Sequence, residues 1–196
     1  MDLPKRKQIR LQNYDYSSPG AYFVTFCIRD RRCILSDITV GALHEAPAVS
    51  LNLTEIGQIV KEFIEILPSR YPDLAVEHYV IMPNHIHLLL RIDTERALLR
   101  PEQSEVVPIG KAPLRTGESR SLLAKAIGFL KMNSSKLVHQ KYPRLELWQR
   151  SYHEHVIRNE NDYREIWEYI EANPVRWAED RYFIECAYSA EEKGID

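Results

Sequence analysis

Residues 74–93 have the sequence LAVEHYVIMPNHIHLLLRID, in which two apolar runs flank the pair Pro83 and Asn84. The runs are rich in the residue types that strands favour, and Pro followed by Asn is typical of a tight turn. We therefore expect an antiparallel hairpin. Side chains alternate along a strand, so His85 and His87 should project from the same face of the second strand.

The rest of the chain supplies the other elements of one fold. They are a strand at 20–29, a helix capped by Thr54 and ended by Pro68, a helix at 121–138, a strand at 145–158 and a helix at 159–177 that Pro174 ends. This order predicts an α+β fold with a ferredoxin-like βαββαβ core, an antiparallel sheet with helices on one face, plus an additional C-terminal helix. An appended hairpin is expected near residues 31–53.

The chain has the length of one domain. At 196 residues it can bury a sizeable core, and neither flank of the segment 93–120, which is interrupted by prolines and glycines, should fold alone. We therefore predict a single domain over residues 1–196. Within it, residues 93–120 should form a long loop and residues 1–13 a basic N-terminal arm.

Composition and cysteine usage predict a cytoplasmic protein without a membrane partner. The sequence has no apolar run as long as a membrane span, and its N-terminus, MDLPKRKQIR, lacks the apolar core of a secretion signal. The three cysteines, Cys27, Cys33 and Cys186, are odd in number and show no CxxC spacing. We therefore expect reduced thiols and neither a disulfide framework nor a zinc knuckle.

Charge is distributed unevenly along the chain. The formal net charge of -2 argues against a uniformly basic nucleic-acid-binding protein. Residues 111–158, however, hold ten Lys and Arg against three Asp and Glu, whereas residues 159–196 hold four against eleven. Such blocks predict a local basic face in the first of these segments.

The two histidines of the hairpin allow two interpretations. Neutral imidazoles side by side on a rigid strand suit a divalent metal ion, for which a third ligand would be needed. Alternatively, His85 and His87 are polar residues at the margin of the core, with their hydrogen bonds satisfied inside the protein. Their position directly after a turn favours a site that solvent can reach.

The final helix offers groups that could complete such a site. Its apolar stripe is formed by Tyr163, Ile166, Trp167 and Ile170. Tyr169 and Asn173 are four residues apart and so lie on one flank, beside the stripe. Asn173 precedes Pro174, which should bias its backbone away from helical geometry and free its side chain to reach an ion. The alternative is a tyrosine at the core margin and an ordinary polar residue at a helix end.

Three stretches together resemble a known family. They are YDYSSPGAYFVTFCIRDRR (14–32), YVIMPNHIHLLL (79–90) and LWQRSYHEHVIRNENDYREIWEYIEANPVRW (147–177). In combination they are similar to the IS200-like tyrosine transposases, and especially to the REP-associated tyrosine transposases. The resemblance extends from about Tyr14 to Trp177, except for the middle loop.

The resemblance implies roles for particular residues. His85, Ile86 and His87 correspond to the family's signature of two histidines around a hydrophobic residue. Tyr169 falls at the position of the single nucleophilic tyrosine, and Asn173 falls where a third metal ligand is expected, a position at which family members also use Gln. The implied activity is nicking and strand transfer of single-stranded DNA through a 5′-phosphotyrosine, with Mg²⁺ or Mn²⁺ as the cofactor.

Two other functions stay open beside transposition. One is a replication-initiator or relaxase-like nickase with the same two-histidine site, which would differ mainly in its substrate. The other is a non-catalytic module that binds single-stranded nucleic acid on a ferredoxin-like sheet. Related transposases act as dimers, whereas the REP-associated ones can act as monomers. The resemblance therefore leaves both a homodimer and a monomer open.

Basic and aromatic residues would contact the DNA, which should be single-stranded or a hairpin with single-stranded flanks. The candidate phosphate contacts are Lys5, Arg6, Lys7, Arg10, Lys125, Lys136 and Arg150. The candidate stacking aromatics are Tyr14, Tyr16 and Trp148. For each cation taken separately, simple solvation is the competing interpretation.

Other tyrosines compete with Tyr169 for the role of nucleophile. Tyr152 is the strongest competitor, because it lies in RSYHEH (150–155), where His153 or His155 could supply a further ligand or a base. Tyr163 should lie in the core, and Tyr142 precedes a proline.

Overall fold

The computed structural model describes residue 16 and residues 18–42, 47–93 and 121–186. Its strands and helices, in chain order, are β1 (Gly20–Cys27), β2 (Ser36–Ala42), β3 (Pro47–Leu53), α1 (Glu55–Arg70), β4 (Leu74–Ile81), β5 (His85–Ile92), α2 (Leu122–Lys141), β6 (His153–Ile157) and α3 (Glu160–Ala172). The predicted basic arm, Tyr14 and nearly all of the predicted long loop lie outside the described residues.

Four of the strands form one antiparallel sheet in the order β4–β5–β1–β6. Together with α1 and α2 this is the order of a ferredoxin-like βαββαβ core, so the predicted fold class is confirmed. The predicted hairpin is present as β4 and β5, and β4 is an edge strand of the sheet. The appended hairpin is also present, as β2 and β3.

The two faces of the sheet are covered by different helices. Helices α1 and α2 pack on the face that carries Val24 and Phe26 of β1 and Ile86 and Leu88 of β5. Helix α3 packs on the other face, with Ile166 and Ile170 against Leu89. The alternation expected for β5 is therefore confirmed: His85 and His87 face α3, away from the main apolar core.

Helix α1 begins where the sequence predicts but does not end there. The Thr54 hydroxyl accepts a hydrogen bond from the Gly57 amide at 3.1 Å, which makes Thr54 the N-cap. The prediction that Pro68 ends the helix is wrong, because the helix continues to Arg70. Proline lacks the amide donor and its ring crowds the carbonyl four residues earlier, yet the chain stays helical for two more residues. Two features of Leu67 hold the last turn: its side chain is buried, and its backbone carbonyl accepts a hydrogen bond from the Tyr71 amide at 2.8 Å.

The last strand and the end of the last helix also differ from expectation. Only residues 153–157 of the segment 145–158 form a strand, because Trp148 makes just an isolated bridge with Ile28. Asn173 has helical backbone angles, φ -57° and ψ -43°, so the expected bias away from the helix is wrong. The steric bias before proline is overcome by two contacts: the Asn173 amide donates to the Ile170 carbonyl, and its side chain donates to Asp180.

Two cysteines form a disulfide, contrary to the expectation of reduced thiols. Cys33 and Cys186 are 153 residues apart in sequence, and their Cα atoms lie 5.5 Å from each other. The bond attaches the segment after α3 to the loop after β1. Spacing alone could not predict it, because the pairing depends on tertiary packing between distant segments. Cys27 is free and buried.

Candidate metal and tyrosine site

The site is built around the histidine pair at the start of β5. Both imidazoles are fully buried, and their Nε2 atoms lie 3.0 Å apart. The outer nitrogen of each ring is also held: His87 Nδ1 is 2.7 Å from the Thr25 hydroxyl, and His85 Nδ1 is 2.9 Å from Oδ1 of Asn84. The two Nε2 atoms thus lie next to each other on the side of the sheet that α3 covers.

Burial keeps both imidazoles neutral. It lowers the pKa of His85 to about 4, and the nearby carboxylate of Asp180 opposes that change. Burial also holds the pKa of His87 well below its usual range, and the neighbouring His85 lowers it further. A neutral imidazole presents a nitrogen lone pair, which is the form that binds metal ions.

Helix α3 brings the hydroxyl of Tyr169 to the pair. It lies 3.3 Å from Nε2 of His87 and donates to Oδ2 of Asp180 at 3.0 Å. The phenol ring meets His87 and Phe23 edge-on, and the side chain is 40% exposed. Burial and then the charge of Asp180 raise the pKa of Tyr169 to about 12.

Asp180 is the site residue that the sequence does not reveal. It follows the short 3-10 turn Trp177–Glu179, and one of its oxygens lies within 4.8 Å of ligand atoms of both His85 and His87. Its Oδ2 accepts from both Tyr169 and the Asn173 amide nitrogen, each at 3.0 Å. In the sequence it is one of many acidic residues near the C-terminus, and no helical spacing relates it to Tyr169.

Asn173 provides one more unused donor atom. Its side chain is 3% exposed, and its Oδ1 is buried without a hydrogen-bond partner among the described residues. A buried carbonyl oxygen without a partner is unusual and fits a cation that would occupy the site. The nitrogens of His85 and His87 and a carboxylate oxygen of Asp180 lie close enough together to hold one divalent ion.

The separation of the two imidazole nitrogens also fits a shared ion. Two ligand atoms about 2.1 Å from one ion and at right angles to each other are about 3.0 Å apart. The Nε2 atoms of His85 and His87 have this separation. The residues present therefore fit the divalent ion that the resemblance implies.

The segment after α3 covers the other side of the pair. The rings of Tyr182 and Trp177 pack against His85, with centroids 4.7 and 5.9 Å away. The guanidinium groups of Arg181 and Arg31 lie over Tyr182, 4.6 and 5.4 Å from its centroid. On the open side, Tyr169, Asn173 and Asp180 line a cavity of about 490 Å³.

The competing tyrosines and histidines lie elsewhere. Tyr163 donates to Glu77 at 2.6 Å, Tyr142 lies 3.3 Å from a carboxylate oxygen of Glu55, and Tyr152 packs beside the α1 and α2 core. His153 and His155 lie on β6, and neither belongs to the cluster of possible metal ligands found among the described residues.

Three of the predicted phosphate contacts are among the described residues. Lys125, Lys136 and Arg150 are exposed, and both lysines lie on α2, across the sheet from the histidines. The four candidate cations of the N-terminal arm lie outside the described residues. Tyr16 and Trp148 are buried, so the prediction that they offer exposed rings for stacking is wrong.

No helix in the described parts of the chain is long and apolar enough to cross a lipid bilayer.

The chain is similar in sequence to two proteins of Haemophilus influenzae. No family model matches the chain. An uncharacterized protein of Haemophilus influenzae is 27% identical over 92% of the chain and 94% of its own length. A second Haemophilus influenzae protein, named "Putative REP-associated tyrosine transposase", is 29% identical over 85% of the chain and 77% of its own length.

A solved structure shares the fold. It is a REP-associated tyrosine transposase bound to a REP hairpin, with a TM-score of 0.54 and 21% identity, over 86% of this chain and 73% of its own. The resemblance to the REP-associated tyrosine transposases that the sequence predicts is therefore confirmed, in sequence by the second Haemophilus influenzae protein and in fold by the hairpin-bound transposase.

Proposed function

We propose that this protein is a transposase that nicks and rejoins single-stranded DNA through a covalent bond to Tyr169. The similarity to REP-associated tyrosine transposases supports the transposase family. The observation that carries the chemistry is the position of the Tyr169 hydroxyl, 3.3 Å from Nε2 of a fully buried histidine pair. The phenol of Tyr169, on α3, thus lies against the proposed metal ligands on β5.

His85, His87 and Asp180 would hold the divalent ion, with Oδ1 of Asn173 as a further oxygen ligand. Asp180 extends the ligand set expected from the sequence, since it offers a carboxylate within 4.8 Å of both imidazoles. The ion, Mg²⁺ or Mn²⁺, would neutralise the charge that develops on the scissile phosphate. The buried imidazoles are already neutral, so neither ring has to lose a net proton before it binds the ion.

Tyr169 must lose its proton to attack phosphorus. With a pKa of about 12, roughly one phenol in 10⁵ is ionised at pH 7, so a base is required. Oδ2 of Asp180 already accepts the phenolic hydrogen at 3.0 Å and would take this proton. Arg181 opposes the effect of Asp180 and lowers the pKa of the phenol.

The phenolic oxygen then forms a bond to phosphorus while the bond from phosphorus to the 3′ oxygen breaks. The departing 3′ oxygen would take the proton held by Asp180, so the products are a 5′-phosphotyrosine and a DNA end with a free 3′-OH. Because the phosphodiester energy is kept in the covalent link, a second 3′-OH can attack the phosphotyrosine and rejoin DNA without a nucleotide cofactor. The phenol regains its proton in that step.

The proposed substrate is hairpin DNA with single-stranded flanks. The structural neighbour is bound to a REP hairpin, and an unpaired strand is needed for a phenol on a rigid helix to reach the backbone. Arg31 and Arg181 lie beside the site, where they would attract a phosphate. Lys125, Lys136, Arg150 and the N-terminal cations are proposed as contacts to the flanking DNA.

A single chain would suffice for cleavage. The Tyr169 hydroxyl reaches His87 of its own chain, so no exchange of helices between subunits is needed to assemble the site. A homodimer would then serve to hold two DNA ends rather than to complete the nucleophile.

The test is the appearance of a covalent adduct on a denaturing gel. The protein is incubated with Mn²⁺ and 3′-labelled hairpin oligonucleotides carrying single-stranded flanks, and the label should move to the size of the protein. Tyr169→Phe should lose the adduct. Tyr163→Phe is the matched control on the same helix and should keep it. An adduct of undiminished yield with Tyr169→Phe would show that the nucleophile is another residue.

A further inference from the structure

Hydrogen bonds continue outward from the histidine pair on both sides. Asn84 accepts from His85 through Oδ1 at 2.9 Å and donates through Nδ2 to the carbonyl of Tyr182 at 2.9 Å. Thr25, opposite His87 in the register of β1 and β5, places its hydroxyl 2.7 Å from His87 Nδ1. Thr25 and Asn84 are both buried, so water does not replace either contact.

The contact with Asn84 has only one direction. Its Nδ2 is committed as a donor to the Tyr182 carbonyl, so Oδ1 faces His85 and can only accept. The proton of His85 must therefore lie on Nδ1, and Nε2 carries a lone pair. Asn84 thus fixes His85 in the tautomer that binds a metal ion.

The contact with Thr25 can run in either direction, because a hydroxyl both donates and accepts. Without an ion, two nitrogens 3.0 Å apart need one proton between them. His85 cannot supply it, so His87 must carry it on Nε2. Nδ1 of His87 then has a lone pair, and the Thr25 hydroxyl donates to it.

Tyr169 points to the same assignment independently. Its one hydrogen is donated to Asp180, so its oxygen can only accept from His87 Nε2 at 3.3 Å. Because the oxygen of Tyr169 is the acceptor in this contact, Nε2 of His87 must carry a hydrogen. Two separate neighbours of this nitrogen, His85 and Tyr169, are therefore satisfied by a single proton.

We infer that Thr25 is a positioning residue whose hydroxyl reverses when a divalent cation binds. Without the cation it donates to His87 Nδ1. With the cation, His87 moves its proton to Nδ1, presents the Nε2 lone pair to the ion, and donates to Thr25. The inference rests on the divalent-cation site of the proposed function, and it adds that the two histidines start in opposite tautomers and finish in the same one.

The tautomers can be measured directly by ¹⁵N NMR of the imidazoles. The cation-free protein should show His85 protonated on Nδ1 and His87 on Nε2. Addition of Mg²⁺ alone should convert His87 to the Nδ1 form and leave the tautomer of His85 unchanged. The inference is overturned if both rings have the same tautomer before Mg²⁺ is added, or if His87 keeps its tautomer at saturation.

Affinity for Mn²⁺ provides a second readout, from the electron paramagnetic resonance signal of the free ion. Thr25→Val keeps the shape of the side chain but lacks the hydroxyl, and it should weaken binding roughly tenfold to a hundredfold. Thr25→Ser restores the hydroxyl and should bind close to the wild-type affinity. Equal affinities for Val and wild type, or equal losses for Val and Ser, would overturn the role of the hydroxyl.

Neither measurement uses DNA, so the inference and the proposed function can fail separately. Tautomers as stated together with no covalent adduct would leave the inference standing and contradict the transposase chemistry. An adduct at Tyr169 together with identical histidine tautomers would do the reverse.

Discussion

The two faces of strands β1 and β5 differ in what burial achieves. On the face covered by α1 and α2, Val24, Phe26, Ile86 and Leu88 are fully or almost fully buried apolar side chains. On the face covered by α3, Thr25 and the two histidines are just as buried, but they are polar. Burial of the first face stabilises the fold directly. Burial of the second is tolerated because each imidazole nitrogen has a partner.

The difference shows how one pair of strands separates stability from chemistry. Alternation of side chains places the apolar core and the histidine pair 180° apart on the same backbone. Helix α3 repeats this division along its length, since Ile166 and Ile170 pack on Leu89 while Tyr169 reaches the histidines. A change on one face should therefore leave the property of the other face intact.

The substitution Leu88→Ala, on the apolar face, should have the largest effect on stability. Loss of a fully buried leucine should lower the free energy of unfolding by about 2–5 kcal/mol, measured by urea denaturation. Mn²⁺ affinity should not change. His87→Gln is the control on the other face and should weaken Mn²⁺ binding by more than the roughly tenfold to hundredfold loss typical of outer neighbours of a metal ligand. Equal loss of Mn²⁺ binding in both variants would contradict the separation.

Acid should destabilise the fold through the histidines of the polar face. The folded-state pKa of His85 is lowered from 6.5 to about 4, so between these values the unfolded chain binds more protons than the folded one. Stability should therefore fall as the pH drops from 6.5 to 4, by about 3 kcal/mol for His85. The double variant His85→Gln, His87→Gln should lose most of this slope. An unchanged slope in that variant would assign the effect to other groups.

Reduction of the disulfide should loosen the segment that covers the histidines. The bond joins residues 153 positions apart, and its loss should lower the free energy of unfolding by about 2–4 kcal/mol. Urea denaturation with and without a reducing agent measures this. The double variant Cys33→Ser, Cys186→Ser should be insensitive to the reductant. A wild-type midpoint that does not move after complete reduction would contradict a stabilising role.

Asp180→Asn should give the smallest change, a lower pKa for Tyr169. The charge of Asp180 and its hydrogen bond both raise that pKa, and the substitution removes the charge. Ultraviolet titration of the phenols, with Tyr169→Phe subtracted as the reference, would detect the shift. A rise in the pKa, or no movement, would show that Asp180 does not control the phenol.

Local patterns predict the parts of the site that lie on regular elements. Period-two alternation places His85 and His87 on one face, and the spacing of four residues places Tyr169 and Asn173 on one flank of α3. Asp180 follows a 3-10 turn, where no such period applies. Its position depends on how the chain returns over the sheet, which is a tertiary property.

The same distinction between local patterns and tertiary packing explains why some predictions about the fold are wrong. Local rules predict that Pro68 ends α1, but packing of Leu67 keeps the last turn helical. Pro174 is predicted to bias Asn173 away from helical geometry, but hydrogen bonds to Ile170 and Asp180 hold its backbone in the helix. The Cys33–Cys186 pair joins segments that only the folded chain brings together.

The most direct test of the central claim is peptide mapping of the DNA adduct by mass spectrometry. Trypsin should release residues 165–176, EIWEYIEANPVR, in which Tyr169 is the only tyrosine, whereas Tyr152 and Tyr163 fall in separate peptides. After nuclease trimming, this peptide should carry a nucleotide mass, and only when Mg²⁺ or Mn²⁺ was present. A nucleotide on the peptide of Tyr152 or Tyr163, with 165–176 unmodified, would contradict it.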